Sequence, residues 1–335
     1  MDSTGVKRSR LQSGAFENLT SLTSCDNIFL VSLTILFGGF EMKLPVAQSF
    51  FRPPYNERDA VEDGFFINPA NRLYGVVDGV SEAYSPSHPY VKYYGHYSGG
   101  QIVARSFCLA GFSAGPCTIE EFTLEANNRV LGSHLEHGKD PNRGDDVGGA
   151  SFAACKLGDA EEITILLAGD CYALVAGDQE CSLYTGFDAA GHEIEQKDQD
   201  AFTACLAQAG GDKGKAWDLY WPHYKQKRIF CANKNIGQGG YPTLDGGNGL
   251  NNCWTKIKLK WISSLKFILL LTDGLIPPSE AGPGEEKTLA QKLAELYQGG
   301  GICAIVEWRD RVEAEKNTLT HVSGWPEGTA VMLNF

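Results

Sequence analysis

The chain has 335 residues, of which 43% are hydrophobic, enough to bury the core of one large domain or two small ones. Its formal net charge of −12 opposes binding to a phosphate backbone, so nucleic acids are excluded as partners. The ten cysteines are scattered without a C-x-x-C pair, a usage that favours reduced thiols in the cytoplasm or another reducing intracellular compartment.

The first 43 residues are predicted to be an N-terminal extension, for which disorder is one expectation. Their apolar stretch, residues 28–37, is much too short to span a bilayer, and we expect no membrane partner. A secretory signal is the alternative, but no A-x-A cleavage site follows the stretch. Met42 stands just before the first domain-like segment, so an alternative start there is a hypothesis. The even composition of residues 44–335 predicts a single domain, which we expect to be a monomer.

The predicted elements alternate between groups of strands and groups of helices. Residues 50–63 are predicted to form a loop, and a later helix begins at the capping box of Thr118 and Glu121 and ends near Gly138. The full set in chain order comprises strands at 64–67 and 73–78, helices at 101–110 and from 118, strands at 149–157, 163–168, 172–176 and 182–185, a helix at 196–209, strands from 255 and 266, helices at 289–297 and 304–316, and a strand at 329–333. Consecutive hairpins pair antiparallel, which suggests two packed antiparallel sheets with helices outside.

A polar, glycine-rich region, residues 187–250, interrupts this pattern. Apart from its one predicted helix it contains a long loop at 236–247. A loop of that length inside a compact domain is usually functional or mobile.

Three of the predicted strands run into an aspartate. Apolar residues lead to Asp78, Asp170 and Asp273, and a glycine stands beside each acid. For any single Asp-Gly pair, a hairpin turn is the commoner explanation. The repetition favours a shared site, because carboxylates at adjacent strand ends supply the hard oxygen ligands that Mg²⁺ or Mn²⁺ takes.

The order of these motifs resembles the metal-dependent serine/threonine protein phosphatases, the protein phosphatase 2C family. The resemblance runs from about residue 58 to residue 335. It rests on Glu62-Asp63, Val77-Asp78-Gly79, Gly149-Ala150-Ser151, Gly169-Asp170, Thr272-Asp273-Gly274 and Glu327-Gly328-Thr329. It implies a four-layer α-β-β-α sandwich of two antiparallel sheets flanked by helices, an α+β fold, over residues 44–335.

The resemblance also implies a set of metal ligands for Mg²⁺ or Mn²⁺, with two ions and, in some members, a third. Asp78 would bridge two ions, Gly79 would offer its carbonyl, and Asp273 would bind the first ion. Glu62 would hold the second ion through water. Asp170 matches the acid that helps hold a third ion in some members.

The resemblance assigns a role to one further residue, and several positions depart from the family pattern. Arg58 matches the arginine that grips the substrate phosphate, a role for which a guanidinium suits because it can bind two oxygens at once. Cys171 and Tyr172 replace the usual Ser-Arg. Val80 stands where many members have a histidine proposed as the general acid, although other members also carry valine there.

The sharpest departure is at the closing strand. Counting back from Thr329 places Pro326 where the family has the acid that completes the first metal site. Glu327, at the next position, has a carboxylate that would reach the ion if the preceding loop shifts. The sequence therefore predicts a weakened first site.

The function implied is metal-dependent hydrolysis of phosphoserine and phosphothreonine in proteins by a metal-activated water, with Arg58 and Asp78 as the catalytic residues. One alternative is a pseudophosphatase, a binding or regulatory module with the same fold. A weaker alternative is a hydrolase of small phosphorylated molecules. Residues 187–250 are expected to govern substrate choice, because the matching region lies beside the site in family members.

Overall fold

The computed structural model describes residues 28–31, 45–53, 61–81, 94–159, 161–234, 237, 240–260, 264–280, 284–316 and 327–335. The strands are β1 (Ile28–Val31), β2 (Val46–Arg52), β3 (Asp63–Asn68), β4 (Leu73–Val80), β5 (Gly149–Leu157), β6 (Glu162–Ala168), β7 (Tyr172–Gly177), β8 (Cys181–Thr185), β9 (Thr255–Lys260), β10 (Leu265–Leu271) and β11 (Gly328–Asn334). The helices are α1 (Gly99–Ser113), α2 (Ile119–Glu136), α3 (Ala189–Gln208), α4 (Lys213–Cys231) and α5 (Glu286–Lys316).

The strands form two antiparallel sheets. The six-stranded sheet has the order β1-β2-β11-β10-β7-β8, and the five-stranded sheet has the order β3-β4-β5-β6-β9. Each named pairing is antiparallel, as the run of predicted hairpins requires. β6 and β7 are consecutive in the chain but belong to different sheets, so the short turn between them crosses from one layer to the other.

Three apolar clusters hold the layers together. One lies between the two sheets and includes Val76, Ile165 and Ile268. A second packs α1 and α2 on the five-stranded sheet around Phe66 and Phe107. A third packs α5 on the six-stranded sheet. The predicted α-β-β-α sandwich is therefore confirmed, with α1 and α2 on one outer face and α5 on the other.

The predicted helix ends agree with the hydrogen bonds. Thr118 accepts from the Glu121 backbone N–H at 3.2 Å, and the Glu121 carboxylate accepts from the Thr118 N–H at 2.8 Å. A second capping box, Ser98 with Gln101, starts α1. Among the described residues, no helix is both long and apolar enough to cross a membrane.

Two predictions about elements were wrong. The loop predicted from residue 50 overlaps β2, whose residues 46–52 pair with β11. The region 187–250 contains two long helices where one was predicted, because α4 continues through Pro222. The two predicted C-terminal helices agree with α5, which a non-helical backbone at Gly301 divides into two helical parts.

The expectation for the cysteines holds only in part. Eight described cysteines are free thiols. Cys303 is disulfide-bonded, which corrects the prediction that all ten are reduced.

The predicted boundary between an extension and a domain at residue 44 stays a prediction. β1 lies within the first 43 residues and pairs with β2. The rest of that stretch falls outside the described residues.

Candidate functional site

The predicted acids lie at one end of the sandwich, where the two sheets meet. Asp78 is near the end of β4 in the five-stranded sheet, and Asp273 follows β10 in the six-stranded sheet. Asp170 stands in the turn that joins β6 to β7. Strand ends from both layers thus deliver carboxyl groups to one small region.

Register adds a fourth acid to this group. Asp63, the first residue of β3, is the cross-strand partner of Asp78, and Ser151 of β5 is the partner of Asp78 on the other side. Asp273, at the end of β10, is close enough to Asp78 to act on its carboxyl group.

Burial and crowding change how these acids titrate. Burial raises the pKa of Asp78 well above its usual range, and Asp273, Asp63 and Asp170 raise it further by repulsion. Burial and the neighbouring Asp273 raise the pKa of Asp170 to about 6. Such a concentration of carboxylates is electrostatically unfavourable without protons or a cation to neutralise it.

Glu62 is held by the N-terminus of α1. Its carboxylate accepts hydrogen bonds from the hydroxyls of Ser81 and Ser98, and Ser98 is also the N-cap of α1. A Cβ at Gly100, in the first turn of α1, would lie 2.6 Å from Glu62 Oε1. The positive end of a helix stabilises a carboxylate in this position.

Gly79 allows α1 to come close to β4. A Cβ on Gly79 would lie 2.5 Å from the carbonyl oxygen of Gly100 and 2.7 Å from that of Glu62. The Gly79 N–H donates to the same Glu62 carbonyl at 3.0 Å. A side chain at position 79 would therefore force the strand away from the helix.

Glu327 is engaged by the backbone at the start of β3. Its two carboxylate oxygens accept from the backbone N–H groups of Glu62 at 2.9 Å and Asp63 at 2.5 Å. Burial raises the pKa of Glu327 to about 7, the two backbone hydrogen bonds oppose the rise, and Glu62 and Asp273 add to it. Glu327 thus joins the start of β11 to the start of β3.

Hydroxyl groups complete the site, and sequence reasoning missed their roles. Thr272 donates to Asp63 Oδ2 at 2.8 Å and accepts from the Thr329 N–H at 2.8 Å. The Ser151 hydroxyl accepts from the Asp170 N–H at 3.3 Å. Thr272 and Ser151 stand inside motifs that drew attention for their acids and glycines. Ser98 begins a capping box, a signal that could have been used.

The described structure thus brings together five of the predicted acids: Glu62, Asp78, Asp170, Asp273 and Glu327. Arg58 and Pro326 lie outside the described residues.

The donor set fits a hard divalent cation in kind, because all of these side chains offer carboxylate oxygens. In the described part of the chain, no group of three or more His, Cys, Asp or Glu side chains is arranged to hold a metal ion. Glu62 and Glu327 accept hydrogen bonds from protein groups. Binding an ion would require some of these carboxylates to turn.

Comparisons with known proteins give matches at the level of structure only. No protein-family profile matches the chain, and no curated protein matches its sequence. The serine/threonine phosphatase PstP/Ppp from Mycobacterium tuberculosis is similar in structure, with a TM-score of 0.49, 13% identity, and coverage of 86% of this chain and 97% of that chain.

Two further structures give similar values. The catalytic domain of PstP in complex with two manganese ions has a TM-score of 0.47, 12% identity and coverage of 86% of this chain and 96% of that chain. The phosphatase MsPP from Mycobacterium smegmatis in complex with cacodylate has a TM-score of 0.47, 15% identity and coverage of 87% and 99%. These are phosphatases of the kind that the motif order resembles. With such low identities and TM-scores below 0.5, the matches carry none of the argument that follows.

Proposed function

We propose that the chain is a metal-dependent phosphatase that hydrolyses phosphoserine and phosphothreonine in proteins. What supports the proposal above all is the cluster of Asp63, Asp78, Asp170 and Asp273, where burial and then mutual repulsion raise the pKa values of Asp78 and Asp170. Perturbed acids that converge on one site are typical of functional centres. Neutralisation by divalent cations is the chemistry that such a set of oxygen donors suits best.

The residues proposed to hold Mg²⁺ or Mn²⁺ are the predicted ones: Asp78, Asp273 and Asp170 by their carboxylates, Gly79 by its carbonyl, and Glu62 through water. Glu327 would complete the first site only by giving up its hydrogen bonds to the N–H groups of Glu62 and Asp63. When bound, such ions supply charge neutralisation for the phosphate and an activated water.

Other side chains of the protein are proposed to position the acids and to bind the substrate phosphate. Ser81 and Ser98 fix the direction of the Glu62 carboxylate by their hydrogen bonds. Thr272 fixes Asp63 and at the same time ties it to β11. Arg58 is proposed to bind two oxygens of the substrate phosphate, because a guanidinium stays charged and can donate in pairs.

A second candidate function has a specific observation in its favour. Glu327 and Glu62 are already engaged by protein hydrogen bonds, and no three acids of the described residues are arranged to hold a metal ion. A protein that kept this arrangement would be a pseudophosphatase, which binds phosphorylated partners without hydrolysing them.

Turnover of an aryl phosphate with Mn²⁺, with Mg²⁺ and with a chelator tests the proposal, followed by turnover of a phosphothreonine peptide. We expect metal-dependent hydrolysis in the wild type and a loss of at least about 100-fold in Asp78→Asn, because the carboxylate charge at the centre of the cluster is removed. Preference for the aryl ester over the peptide would favour a small-molecule hydrolase.

Asp159→Asn is the matched control, since Asp159 is fully exposed at the turn between β5 and β6 and pairs with Arg72. It should leave turnover unchanged. Absence of hydrolysis by the wild type at saturating Mn²⁺ would refute the proposal in favour of the pseudophosphatase.

A further inference from the structure

We propose that Lys227 on α4 binds the phosphate of the substrate at the Asp170 side of the acid cluster, and that Asp198 on α3 positions it. The inference rests on the proposed function, which it deepens by naming a substrate-binding residue.

Asp198 connects α3 to one face of α4. Its Oδ2 lies 2.9 Å from Lys227 Nζ, and its Oδ1 lies 3.3 Å from Nε2 of His223. The side chains of Asp198 and Lys227 are 13% and 10% exposed, so the ion pair is largely shielded from solvent. Asp198 therefore lies against the face of α4 that carries His223 and Lys227, and its hydrogen bond there comes from Lys227.

The direction in which this face points is shown by Tyr241 and Phe187. Lys227 Nζ lies 5.9 Å from the centre of the Tyr241 ring, and that ring packs against Phe187 at 6.0 Å between centroids. The Phe187 N–H donates to Thr185 Oγ1 at 3.3 Å, and the Thr185 hydroxyl donates to the Gly169 carbonyl at 3.3 Å. Gly169 precedes Asp170, so a short chain of contacts leads from Lys227 to that acid.

The charges of the two groups also act on each other. Lys227 opposes the rise in the pKa of Asp170 that burial and Asp273 cause. One turn earlier on α4, burial raises the pKa of the Tyr224 phenol, and Glu62 adds to the rise.

Arg228 anchors α4 in this place. It is 2% exposed, and it donates to the backbone carbonyls of Gly144 at 3.3 Å and Val147 at 3.0 Å. These carbonyls precede β5, whose residues pair with the end of β4 that carries Asp78. Lys227, the residue before Arg228 on α4, is thus fixed to the same framework as the acids.

The chemistry follows from the charge of the site. A phosphate ester brings further negative charge to a cluster of acids, so a nearby ammonium compensates it. An ammonium has three N–H donors, enough to bond to Asp198 and to a phosphate oxygen at once.

The test uses Lys227→Met, which removes the charge and keeps most of the side-chain stem, and Lys227→Arg, which keeps the charge. The substrate is a phosphothreonine peptide, with Mn²⁺ at saturation. Lys227→Met should raise KM about tenfold or more and change kcat by less than about threefold. The reason is that a hydrogen bond made equally in the ground state and the transition state affects substrate binding alone. Lys227→Arg should recover part of the loss, and Asp198→Asn should raise KM by a smaller factor than Lys227→Met.

Lys225→Met is the matched control, since Lys225 is two residues away on α4 and pairs with Asp145 at 3.1 Å. It should leave KM unchanged. A KM in Lys227→Met equal to that of the Lys225→Met variant would overturn the proposal. Should Lys227→Met fail to fold, as thermal unfolding would reveal, Asp198→Asn decides, and an unchanged KM there would overturn the positioning role and the proposal with it.

Calorimetric binding of the phosphothreonine peptide and its unphosphorylated form separates this inference from the proposed function. A wild type without turnover that binds the phosphopeptide, and loses that binding in Lys227→Met, would refute hydrolysis and support Lys227. Equal binding of the two peptides by the wild type would refute both.

Discussion

Glu327 shows how a single carboxylate can serve as a structural link in a site where the motif order suggests a ligand. Its oxygens accept from two consecutive backbone N–H groups, at 2.9 Å from Glu62 and 2.5 Å from Asp63. An ion would have to compete with both hydrogen bonds, each of them charge-assisted. This competition supports the prediction that the first metal site is weak.

Glu327→Gln should therefore lower the free energy of unfolding by about 1 kcal/mol, because an amide offers one acceptor oxygen where the carboxylate offers two. The Mn²⁺ concentration for half-maximal activity should change by less than about threefold. Thermal unfolding and a Mn²⁺ titration of activity measure the two effects. Pro326→Asp, at the position of the family acid, should reduce the Mn²⁺ requirement. A large rise in the requirement of Glu327→Gln would identify Glu327 as a ligand after all.

His134 offers a test of the fold that is independent of the proposed activity. It is fully buried in α2, and its Nδ1 lies 2.8 Å from the Tyr94 hydroxyl. Burial lowers the pKa of His134 to about 4, and Lys139 and Arg228 add to the fall. The unfolded chain takes up the proton at a higher pH than the folded protein does, so stability is present above the unfolded pKa and is lost as pH falls from about 6.5 towards 4.

The expected loss over this window is at most about 3 kcal/mol, the equivalent of the shift in pKa. His134→Gln should flatten that part of the curve of unfolding free energy against pH, whatever its effect at neutral pH. His137→Gln is the control, because His137 lies on the exposed end of the same helix. Equal slopes for the wild type and His134→Gln between pH 4 and 6.5 would contradict the assignment.

At the residue scale, the sequence predicted the acids better than their partners. Asp78, Asp170 and Asp273 could be found because a long apolar run ending in an acid is an uncommon pattern with a physical meaning. Ser81 and Ser98 could not, because a lone serine is common in loops and its partner, Glu62, is set by the tertiary fold. Nor could the sequence predict that Glu327 accepts hydrogen bonds from the backbone at the start of another strand.

At the scale of elements, local signals succeeded where a helix or hairpin is specified by neighbours in the chain. The capping box at Thr118 is such a case, and so is β5, predicted with its observed bounds. The prediction missed β2 because its partner strand, β11, is hundreds of residues away in the sequence. The prediction missed α4 because Pro222 signals a helix end, whereas the helix continues through it.

The break in α5 gives a prediction at this scale. Gly301 has φ 67° and ψ −160°, a conformation that only glycine adopts without strain. A Cβ there would meet nothing within 4 Å, so the effect of Gly301→Ala comes from the backbone alone. We expect a loss of about 1–3 kcal/mol in the free energy of unfolding, measured by denaturant titration.

Gly299→Ala is a matched control from the same element, since its Cβ would also meet nothing within 4 Å. Alanine is the better helix former by about 1 kcal/mol, so this variant should be neutral or more stable. If Gly301→Ala were as stable as Gly299→Ala, α5 would be a continuous helix in solution and the break at Gly301 would be wrong.

At the scale of the whole molecule, hydrophobic patterning sufficed to predict the layers. The alternation of strand groups and helix groups leaves three apolar interfaces to bury, and the three clusters fill them. The order of strands within each sheet could not be derived in this way, because it depends on pairings such as β2 with β11 that no local pattern records. The location of the site at the junction of the sheets follows from those pairings.

The same location makes the response of the whole molecule to divalent cations testable without any substrate. Acids from both sheets repel one another at this junction, and Asp78 stands at its centre, with Asp273, Asp63 and Asp170 all acting on it. A cation that binds the folded protein and not the unfolded chain stabilises it by about 2.7 kcal/mol at 100 times its Kd. Mn²⁺ added to chelator-treated protein at pH 7.5 should therefore raise Tm by several degrees.

Asp78→Asn should respond differently in two ways. Without Mn²⁺ its Tm should equal or exceed that of the wild type, because removing one partly buried charge relieves repulsion among those that remain. Mn²⁺ should raise the Tm of Asp78→Asn only a little, because the central oxygen donor has lost its charge. The Tm of Asp159→Asn should rise as much as that of the wild type. A wild-type Tm that is the same with chelator and with millimolar Mn²⁺ would mean that the acids are neutralised by protons alone, and the metal site would have to be abandoned together with the metal-dependent mechanism.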